Sequence, residues 1–360
     1  MAVKKALAIA VQTGVPTLLI GDPGVGKTSF VNQLGMALNK KVVTVIASIR
    51  EPSDFAGLPV VRESGVVFEP PAWARELGDN GILFLDELTT ASPSVQKALL
   101  RVVLERVVGD LTLSPNVWII AAANPPSSAA GGWDLAAPLA NRFCHLKWTV
   151  DPSEWCNGIV YGFGAEQLVK LPKGWENGLL RTHALVASFI KRRPDLLVKL
   201  PNEASEAGGA WPSPRSWAMA ARVLTAAEAV EASDESFELI CGCVGEAAAI
   251  EFTTWKSGLD LPEPQEILEA GRQWKLPNRA DIAYVALSGM TAFVLQDCTQ
   301  DKWQKCWSVF SAVIDQGGSD IIAPMVKTLA ERRPPGFTLP TDVLRKFLPL
   351  INAMREGQKV

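Results

Sequence analysis

Histidine and cysteine, the residues that most often bind zinc, are scarce in this sequence. The 360 residues include two histidines, His145 and His183, and six cysteines that form no Cys-x-x-Cys pair. Cys241-x-Cys243 could supply half of a metal site, but no histidine lies near it along the chain. Dispersed thiols of this kind are typical of the reducing cytoplasm, where they are buried as small apolar side chains. The sequence therefore favours a cytoplasmic location and argues against a zinc site.

Long apolar runs and an excess of charge are also missing. No stretch approaches the roughly 18 consecutive apolar residues of a membrane-spanning helix, so no membrane span is expected. Residues 1–11 lead directly into a predicted strand without a cleavage-like site, which favours a helix over a signal peptide. The net charge of −3 gives no general attraction to nucleic acids or acidic lipids, although a local basic patch stays open. The length predicts two or three domains.

One glycine-rich loop stands out among the features that are present. Residues 21–28 match the pattern G-x-x-x-x-G-K-[ST] at every fixed position. A predicted strand, 17–20, precedes the loop and a predicted helix, 29–39, follows it, which argues against a chance match in an ordinary glycine-rich turn. The predicted nucleotide-binding residues are Gly21, Asp22, Pro23, Gly24, Val25, Gly26, Lys27, Thr28 and Ser29.

Each residue type in this loop suits the binding of a nucleoside triphosphate. Glycines let successive backbone N–H groups approach phosphate oxygens, and the free N–H groups at the start of the helix add to them. Lys27 can reach the β- and γ-phosphates, and the Thr28 hydroxyl can bind Mg²⁺. The loop therefore predicts a nucleotide site that includes a magnesium ion.

Short apolar strands alternate with helical segments over the first 150 residues. The predicted strands are 17–20, 42–46, 82–85, 117–121 and 145–148, and a predicted helix, 2–12, precedes them. This alternation predicts a parallel sheet covered by helices on both faces. Helical patterns then take over, at 179–192, 214–231, 235–254 and 280–296. The prediction is an α/β nucleotide-binding domain over 1–150, a helical lid domain over 151–232 and a C-terminal helical domain over 233–360.

Two of the predicted strands lead into polar side chains suited to catalysis. Asp86 and Glu87 follow an apolar strand, and parallel strands deliver their C-terminal ends to the sheet edge that holds the loop. Asp86 can therefore hold Mg²⁺, and Glu87 can act as the general base that polarises the attacking water. Asn124, after the next strand, would orient the same water. Helix caps and a simple Asn-Pro turn are the alternative roles.

The order of these motifs resembles that of the AAA+ ATPases, and most closely their MoxR branch. The similarity includes the loop at 21–28, the carboxylates at 86–87, Asn124 and the segment Leu-Ala-Asn-Arg-Phe at 139–143. Residues 51–72 resemble the hairpin insertion of that branch, and 106–113 resemble the hairpin before its sensor strand. The resemblance covers roughly the first 230 residues and implies an α/β P-loop ATP hydrolase with Mg²⁺ as the second cofactor.

This resemblance adds two arginines to the catalytic residues. Arg142 is similar to the arginine finger, whose permanent charge stabilises the γ-phosphoryl group bound to a neighbouring subunit. The family usually has Asp where this chain has Asn141, and a surface ion pair is the alternative role of Arg142. Arg215 resembles the second sensor, which contacts the nucleotide of the same subunit. A finger that acts in trans implies a closed ring of identical subunits, and the family implies a hexamer.

The resemblance also implies what such a ring does, which is to remodel or mature a protein client as hydrolysis moves the lid. It implies a partner with a von Willebrand A-type domain. A nucleic-acid motor of the restriction-translocase type and an ATP-gated assembly scaffold remain alternatives. Arg62, Glu63 and Glu69, around the predicted hairpin at 57–67, do not favour nucleic acid, and Glu87 argues against a scaffold without hydrolysis. Whether that hairpin is a pore element, a partner contact or ordinary surface stays open.

Overall fold

The computed structural model describes residues 2–63, 65–125, 132–163, 168–338 and 345–346. The chain divides into two compact units. The first unit comprises Met1–Pro172 and Asp195–Glu251, and the second comprises Lys173–Pro194 and Phe252–Val360. These boundaries cut the chain differently from the three predicted domains, because the helix at 179–192 lies in the second unit and not with the rest of the predicted lid. The three-domain division stays a prediction.

The helices and strands follow the predicted alternation. The strands are β1 Thr17–Ile20, β2 Val42–Ile46, β3 Leu58–Arg62, β4 Gly65–Glu69, β5 Ile82–Asp86, β6 Val107–Val108, β7 Leu111–Thr112, β8 Trp118–Ala123 and β9 Cys144–Lys147. The α-helices of the first unit are α1 Ala2–Gln12, α2 Lys27–Ala37, α3 Ser53–Ala56, α4 Ala72–Glu76, α5 Pro93–Glu105, α6 Ala137–Ala140 and α7 Pro152–Tyr161. The helices that follow are α8 Leu179–Arg192, α9 Ala204–Ala207, α10 Pro214–Ala229, α11 Ser233–Val244, α12 Glu246–Ser257, α13 Pro264–Ala270, α14 Ala280–Gln296, α15 Gln300–Asp315 and α16 Ser319–Glu331.

A five-stranded parallel sheet forms the centre of the first unit. Its strand order is β2-β5-β8-β1-β9, so the strand before the glycine-rich loop lies between β8 and β9. Successive side chains of a strand point to opposite faces of the sheet, and every residue from Ile82 to Leu85 is fully buried. Both faces of the sheet are therefore covered, as helices cover them in α/β folds. The predicted α/β fold is confirmed.

The predicted helix at 235–254 is wrong in one respect, because two helices occupy this stretch. Gly245 separates α11 from α12 and has a φ of 82°. This left-handed conformation ends a helix and is costly for any residue with a Cβ. A Cβ on Gly245 would also lie 2.7 Å from the Ala210 carbonyl oxygen. Backbone conformation and close packing therefore both require glycine at the break.

Two hairpins extend the first unit, and both were expected from the sequence. Strands β3 and β4 pair antiparallel, with Val60 opposite Val67, and β6 pairs antiparallel with β7. Ser64, in the predicted turn of the first hairpin, lies outside the described residues. Val61, on β3, is 83% exposed and Val66, on β4, is 59% exposed. The β3–β4 hairpin therefore presents apolar side chains to solvent.

The sequence interpretation missed α7, which directly follows the sheet. The Asp151 carboxylate accepts hydrogen bonds from the backbone N–H groups of Ser153, at 2.8 Å, and Glu154, at 3.0 Å, and so caps this helix. Asp followed by Pro at the first helical position is a recognised start signal. The Asp151-Pro152 pair marks a helix start and not merely a change of composition.

The second unit consists of helices packed around aromatic side chains. Trp303 and Trp307, on α15, and Met290, on α14, are almost completely buried in its core. After β9, the described residues contain no strand, as the sequence predicted. In the same described part of the chain, no helix combines the length and apolar character that crossing a bilayer requires.

Candidate active site

The register of the sheet brings the predicted motifs to one edge. Ile20, the last residue of β1, lies opposite Ala123, the last residue of β8, and Gly21 N–H donates to the Ala123 carbonyl oxygen at 3.2 Å. On the other side of β8, Ile46 at the end of β2 lies opposite Asp86 at the end of β5. The polar residues that follow these strand ends therefore share one space.

That space is a cleft of about 310 Å³, a volume at the lower end of the range of small-molecule sites. The residues that line it are Pro23, Gly24, Val25, Gly26, Lys27, Thr28, Ser29, Asp86, Glu87, Ala122, Ala123 and Asn124. Most of the predicted nucleotide-binding residues and three predicted catalytic or metal-binding residues thus meet in one place. Arg142 and Arg215 are not among the lining residues.

The shape of the glycine-rich loop is set by its backbone conformation and by a hydrogen bond from a tryptophan. Gly26, the residue before α2, has a φ of 85°, a left-handed conformation suited to glycine. The Trp148 indole N–H donates to the Val25 carbonyl oxygen at 3.0 Å. Because C=O and N–H point in opposite directions across a trans peptide, the Gly26 N–H points away from Trp148. The sequence interpretation missed this role of Trp148, which lies 123 positions from Val25.

Lys27 is buried at the base of the loop and its ammonium group is fully engaged. It donates to the carbonyl oxygens of Gly21, at 2.6 Å, and Asp22, at 2.9 Å, and to Asn124 Oδ1 at 3.3 Å. Burial lowers the pKa of Lys27, and the negative charges of Asp86 and Asp22 act in the opposite direction. The arrangement keeps a positive charge pointing into the cleft, where a phosphate group could replace these acceptors.

Thr28 and Asp86 present two neighbouring oxygen atoms on the wall of the cleft. The Thr28 hydroxyl donates to Asp86 Oδ2 at 2.9 Å, so the two oxygens already lie side by side. Mg²⁺ prefers oxygen ligands and in nucleotide sites takes only one or two from protein side chains. These two residues fit a magnesium ion whose remaining ligands are water and phosphate oxygens.

Glu87 lies next to Asp86 in an unusual conformation. Its φ of 58° and ψ of 43° are left-handed, a conformation that non-glycine residues adopt at some cost and often at functional sites. The Ser48 hydroxyl donates a short hydrogen bond to Glu87 Oε2. The pairing of β2 with β5 explains this contact, because the residues that follow both strands continue past the Ile46–Asp86 pair into the same region. No sequence motif marks Ser48, and the sequence interpretation missed it.

Arg142 and Arg215 interact electrostatically. Burial and the positive charge of Arg215 both lower the pKa of Arg142. One Arg142 terminal nitrogen donates to the Pro138 carbonyl oxygen, while its buried Nε has no hydrogen-bond partner among the described residues. Within the same described part of the chain, neither arginine belongs to an ion pair, so the alternative role of Arg142 in a surface ion pair is not seen. Two positive charges that act on each other, with no ion-pair partner among the described residues, are suited to bind an anion.

Comparison with known proteins agrees with this geometry. Residues 16–143 match the family model of the AAA domain, dynein-related subfamily. The match begins just before β1 and ends just before β9, and it includes every residue that lines the cleft. Residues 16–143 are thus similar to an AAA domain. At this coarse level the match supports an ATPase-type, nucleotide-binding module in the first unit.

The relatives are longer proteins with varied names. The chain is 33% identical over 131 residues to "Structural protein ORF618" of Acidianus two-tailed virus, an alignment that covers 34% of this chain and 21% of the relative. It is 34% identical over 171 residues to the "Nif-specific regulatory protein" of Sinorhizobium fredii (strain NBRC 101917 / NGR234), which covers 44% of this chain and 28% of the relative. A crystal structure from Cytophaga hutchinsonii ATCC 33406 aligns with a TM-score of 0.42 and 20% identity, over 67% of this chain and 79% of that one. The chain thus spans about a quarter of the two relatives' length.

Proposed function

We propose that this chain hydrolyses Mg-ATP and works as a ring-forming AAA+ module of the MoxR type. The observation that carries the proposal is the meeting of Lys27, Thr28, Asp86, Glu87 and Asn124 in one cleft. This set supplies a phosphate-binding cation, two oxygen ligands for a metal, a general base and an amide. Phosphoryl transfer needs these groups, because its catalysis consists largely of positioning and charge stabilisation.

The residues of the cleft divide the work. The loop N–H groups and Lys27 would hold the phosphates, and Thr28 with Asp86 would hold Mg²⁺, which would neutralise charge on the phosphate oxygens. Glu87 accepts the proton of the attacking water as general base. Asn124 would orient the same water, and its side chain already lies within 3.3 Å of Lys27 Nζ. Each of these roles uses a side chain that lines the cleft.

The two arginines support action across a subunit boundary. They lie outside the lining of their own cleft and carry charges without counter-ions among the described residues. In a ring, the missing anion is the γ-phosphate bound to a neighbouring subunit, which we assign to Arg142 as the arginine finger. We propose that Arg215 shares this trans role, in place of the cis role that the family resemblance gives it, because its charge acts on Arg142 and it does not line its own cleft. Such a contact between unlike surfaces closes into a ring, which we propose to be a hexamer.

The ring would couple hydrolysis to work on a protein client in the cytoplasm. MoxR-type proteins are the closest resemblance of the motif order, and on that basis we propose a client with a von Willebrand A-type domain. Hydrolysis would move the helical segment that begins with α10, since that segment carries Arg215 and would respond to the state of the nucleotide.

The test combines turnover, mass and capture of the client. Purified protein should hydrolyse ATP only with Mg²⁺, and its native mass should correspond to a ring when ATP is present. The Glu87→Gln variant should bind ATP and retain the ring, so that a client with a von Willebrand A-type domain co-purifies with it. A monomer at saturating ATP would refute the ring. Hydrolysis stimulated by DNA, with DNA and not protein retained, would favour the nucleic-acid motor instead.

A further inference from the structure

Asn141 is a buried side chain that joins two segments of the first unit. It immediately follows α6 and only 3% of its surface is exposed. Its Nδ2 donates to the Trp211 carbonyl oxygen at 2.9 Å, and its Oδ1 accepts from the Ser213 hydroxyl at 2.6 Å. Both partners lie within the three residues before α10, whose second residue is Arg215. One amide therefore ties the turn that carries Arg142 to the start of the helix that carries Arg215.

The neighbouring groups allow only one orientation of this amide. The Trp211 carbonyl oxygen can only accept, and it already accepts from the Ser216 hydroxyl at 2.9 Å. The group that faces it must therefore be the NH₂ of Asn141, which leaves the amide oxygen for Ser213. Ser213 in turn caps α10 by accepting from the Ser216 backbone N–H at 3.1 Å. The position needs a donor and an acceptor on one short side chain, and a carboxylate supplies acceptors only.

We propose that Asn141 is a positioning residue whose neutral amide holds Arg142 and Arg215 together as one pair that faces the nucleotide of a neighbouring subunit. The inference rests on the trans role proposed above for the arginines. It gives a reason for the departure from the Asp that is usual in the family. An Asp here would place a carboxylate oxygen against the Trp211 carbonyl oxygen, which would weaken the link to the start of α10. The residue usual in the family should therefore impair this protein.

The first test exchanges the amide for a carboxylate of the same size. Asn141→Asp should bind ATP in its own cleft with the dissociation constant of the parent, as measured by calorimetry. Its hydrolysis should fall by about 10- to 100-fold, because a displacement of about 1 Å in a catalytic group can cost about 10²-fold. Asn278→Asp adds the same charge at an exposed position of the second unit and should change neither quantity. Parental turnover in Asn141→Asp would overturn the inference.

Mixing of subunits separates positioning from a general loss of fold. Lys27→Ala subunits lack a working cleft but keep both arginines, so in mixed rings they should restore hydrolysis in the intact cleft of Asn141→Asp subunits. Arg142→Ala subunits should give no such rescue, because neither partner then has a working arginine pair. Lys27→Ala subunits could instead restore hydrolysis to Arg142→Ala subunits but not to Asn141→Asp subunits. That result would show that the Asn141→Asp substitution damages its own cleft, and it would overturn the positioning role.

Failure of the proposed trans mechanism would look different. If Lys27→Ala rescues neither variant in rings whose mixed composition native mass spectrometry confirms, the trans role of the arginines is wrong. The link between Asn141 and α10 is then tested by a double-mutant cycle that combines Asn141→Ala with Ser213→Ala. The measured quantity is turnover at saturating ATP. If Asn141 acts through this link, the Asn141→Ala/Ser213→Ala protein should lose no more turnover than the worse single variant. Losses that multiply would show that the two side chains act independently and would refute the positioning role.

Discussion

The two units of this protein carry opposite net charge, and the site lies in the unit that charge alone would disfavour. The first unit has 25 acidic and 17 basic residues, whereas the second has 13 acidic and 18 basic residues. Net charge would direct an anionic nucleotide to the second unit, yet the cleft with the glycine-rich loop lies in the first. Net charge acts at long range and is screened within about 10 Å, whereas Lys27 and the loop N–H groups act on contact. Local geometry therefore locates the site.

The largest expected effect would test whether the first unit alone binds the nucleotide. Lys27→Ala should abolish ATP binding, because a desolvated polyphosphate loses the cation that compensates its charge. Lys305→Ala, an exposed lysine on α15 of the second unit that pairs with Asp301, is the matched control and should bind ATP normally. Isothermal titration calorimetry measures both. ATP binding by Lys27→Ala near parental affinity would break the comparison between the two units.

The next largest effect concerns Arg142. Arg142→Ala should keep ATP affinity but lose about 10³- to 10⁵-fold in turnover, the range that arginine fingers contribute. Arg101→Ala removes an exposed arginine from the same unit, where it pairs with Glu105, and should have parental turnover. Phosphate release at saturating ATP distinguishes the two variants. Normal turnover in Arg142→Ala would exclude it as the finger.

Glu87→Gln should produce a smaller loss. Removal of a positioned general base costs about 10²- to 10⁴-fold in rate, while the neutral amide of Gln leaves the shape of the cleft unchanged. ATP affinity should therefore match or exceed that of the parent. Single-turnover assays should show that hydrolysis is nearly lost. Parental turnover in this variant would show that the base lies elsewhere in the cleft.

Trp303→Ala tests whether the second unit contributes to nucleotide binding. Trp303 is fully buried in the second unit, and its ring lies 5.7 Å from that of Trp307. Loss of such a side chain costs about 3–5 kcal/mol of folding free energy. Denaturant unfolding should show this destabilisation, while the folded protein retains parental affinity for ATP. A loss of affinity in the folded variant would show that the second unit takes part in nucleotide binding.

Ser48→Ala should give the smallest change, and in the opposite direction. Its hydroxyl occupies the Glu87 oxygen that would accept a proton from water, so its removal should raise basal turnover. A hydrogen bond with a net contribution of about 0.5–1.5 kcal/mol corresponds to about a two- to tenfold increase. Ser48→Thr keeps the hydroxyl and should behave as the parent. A fall in turnover for Ser48→Ala would mean that the contact positions Glu87 for catalysis.

Much of the site could be predicted from the sequence because its parts are local motifs. Residues 21–28 are fixed by the pattern of glycines and the flanking elements, and Asp86 with Glu87 follows a strand whose apolar character is plain. Strand and helix alternation then places them at one edge of a parallel sheet. The break at Gly245 could not be read so easily, because one glycine inside a helical pattern is often tolerated and only the contact with Ala210 decides it.

The sequence alone determined the type of fold, the chemistry of the loop and the two carboxylates after β5, since each depends on residues that are neighbours along the chain. The tertiary structure decided the partners that orient them. Ser48 meets Glu87 across 39 positions, Asn141 meets Trp211 across 70, and Trp148 meets Val25 across 123. No local pattern encodes such pairs, because strand register and helix packing bring them together only when the chain has folded.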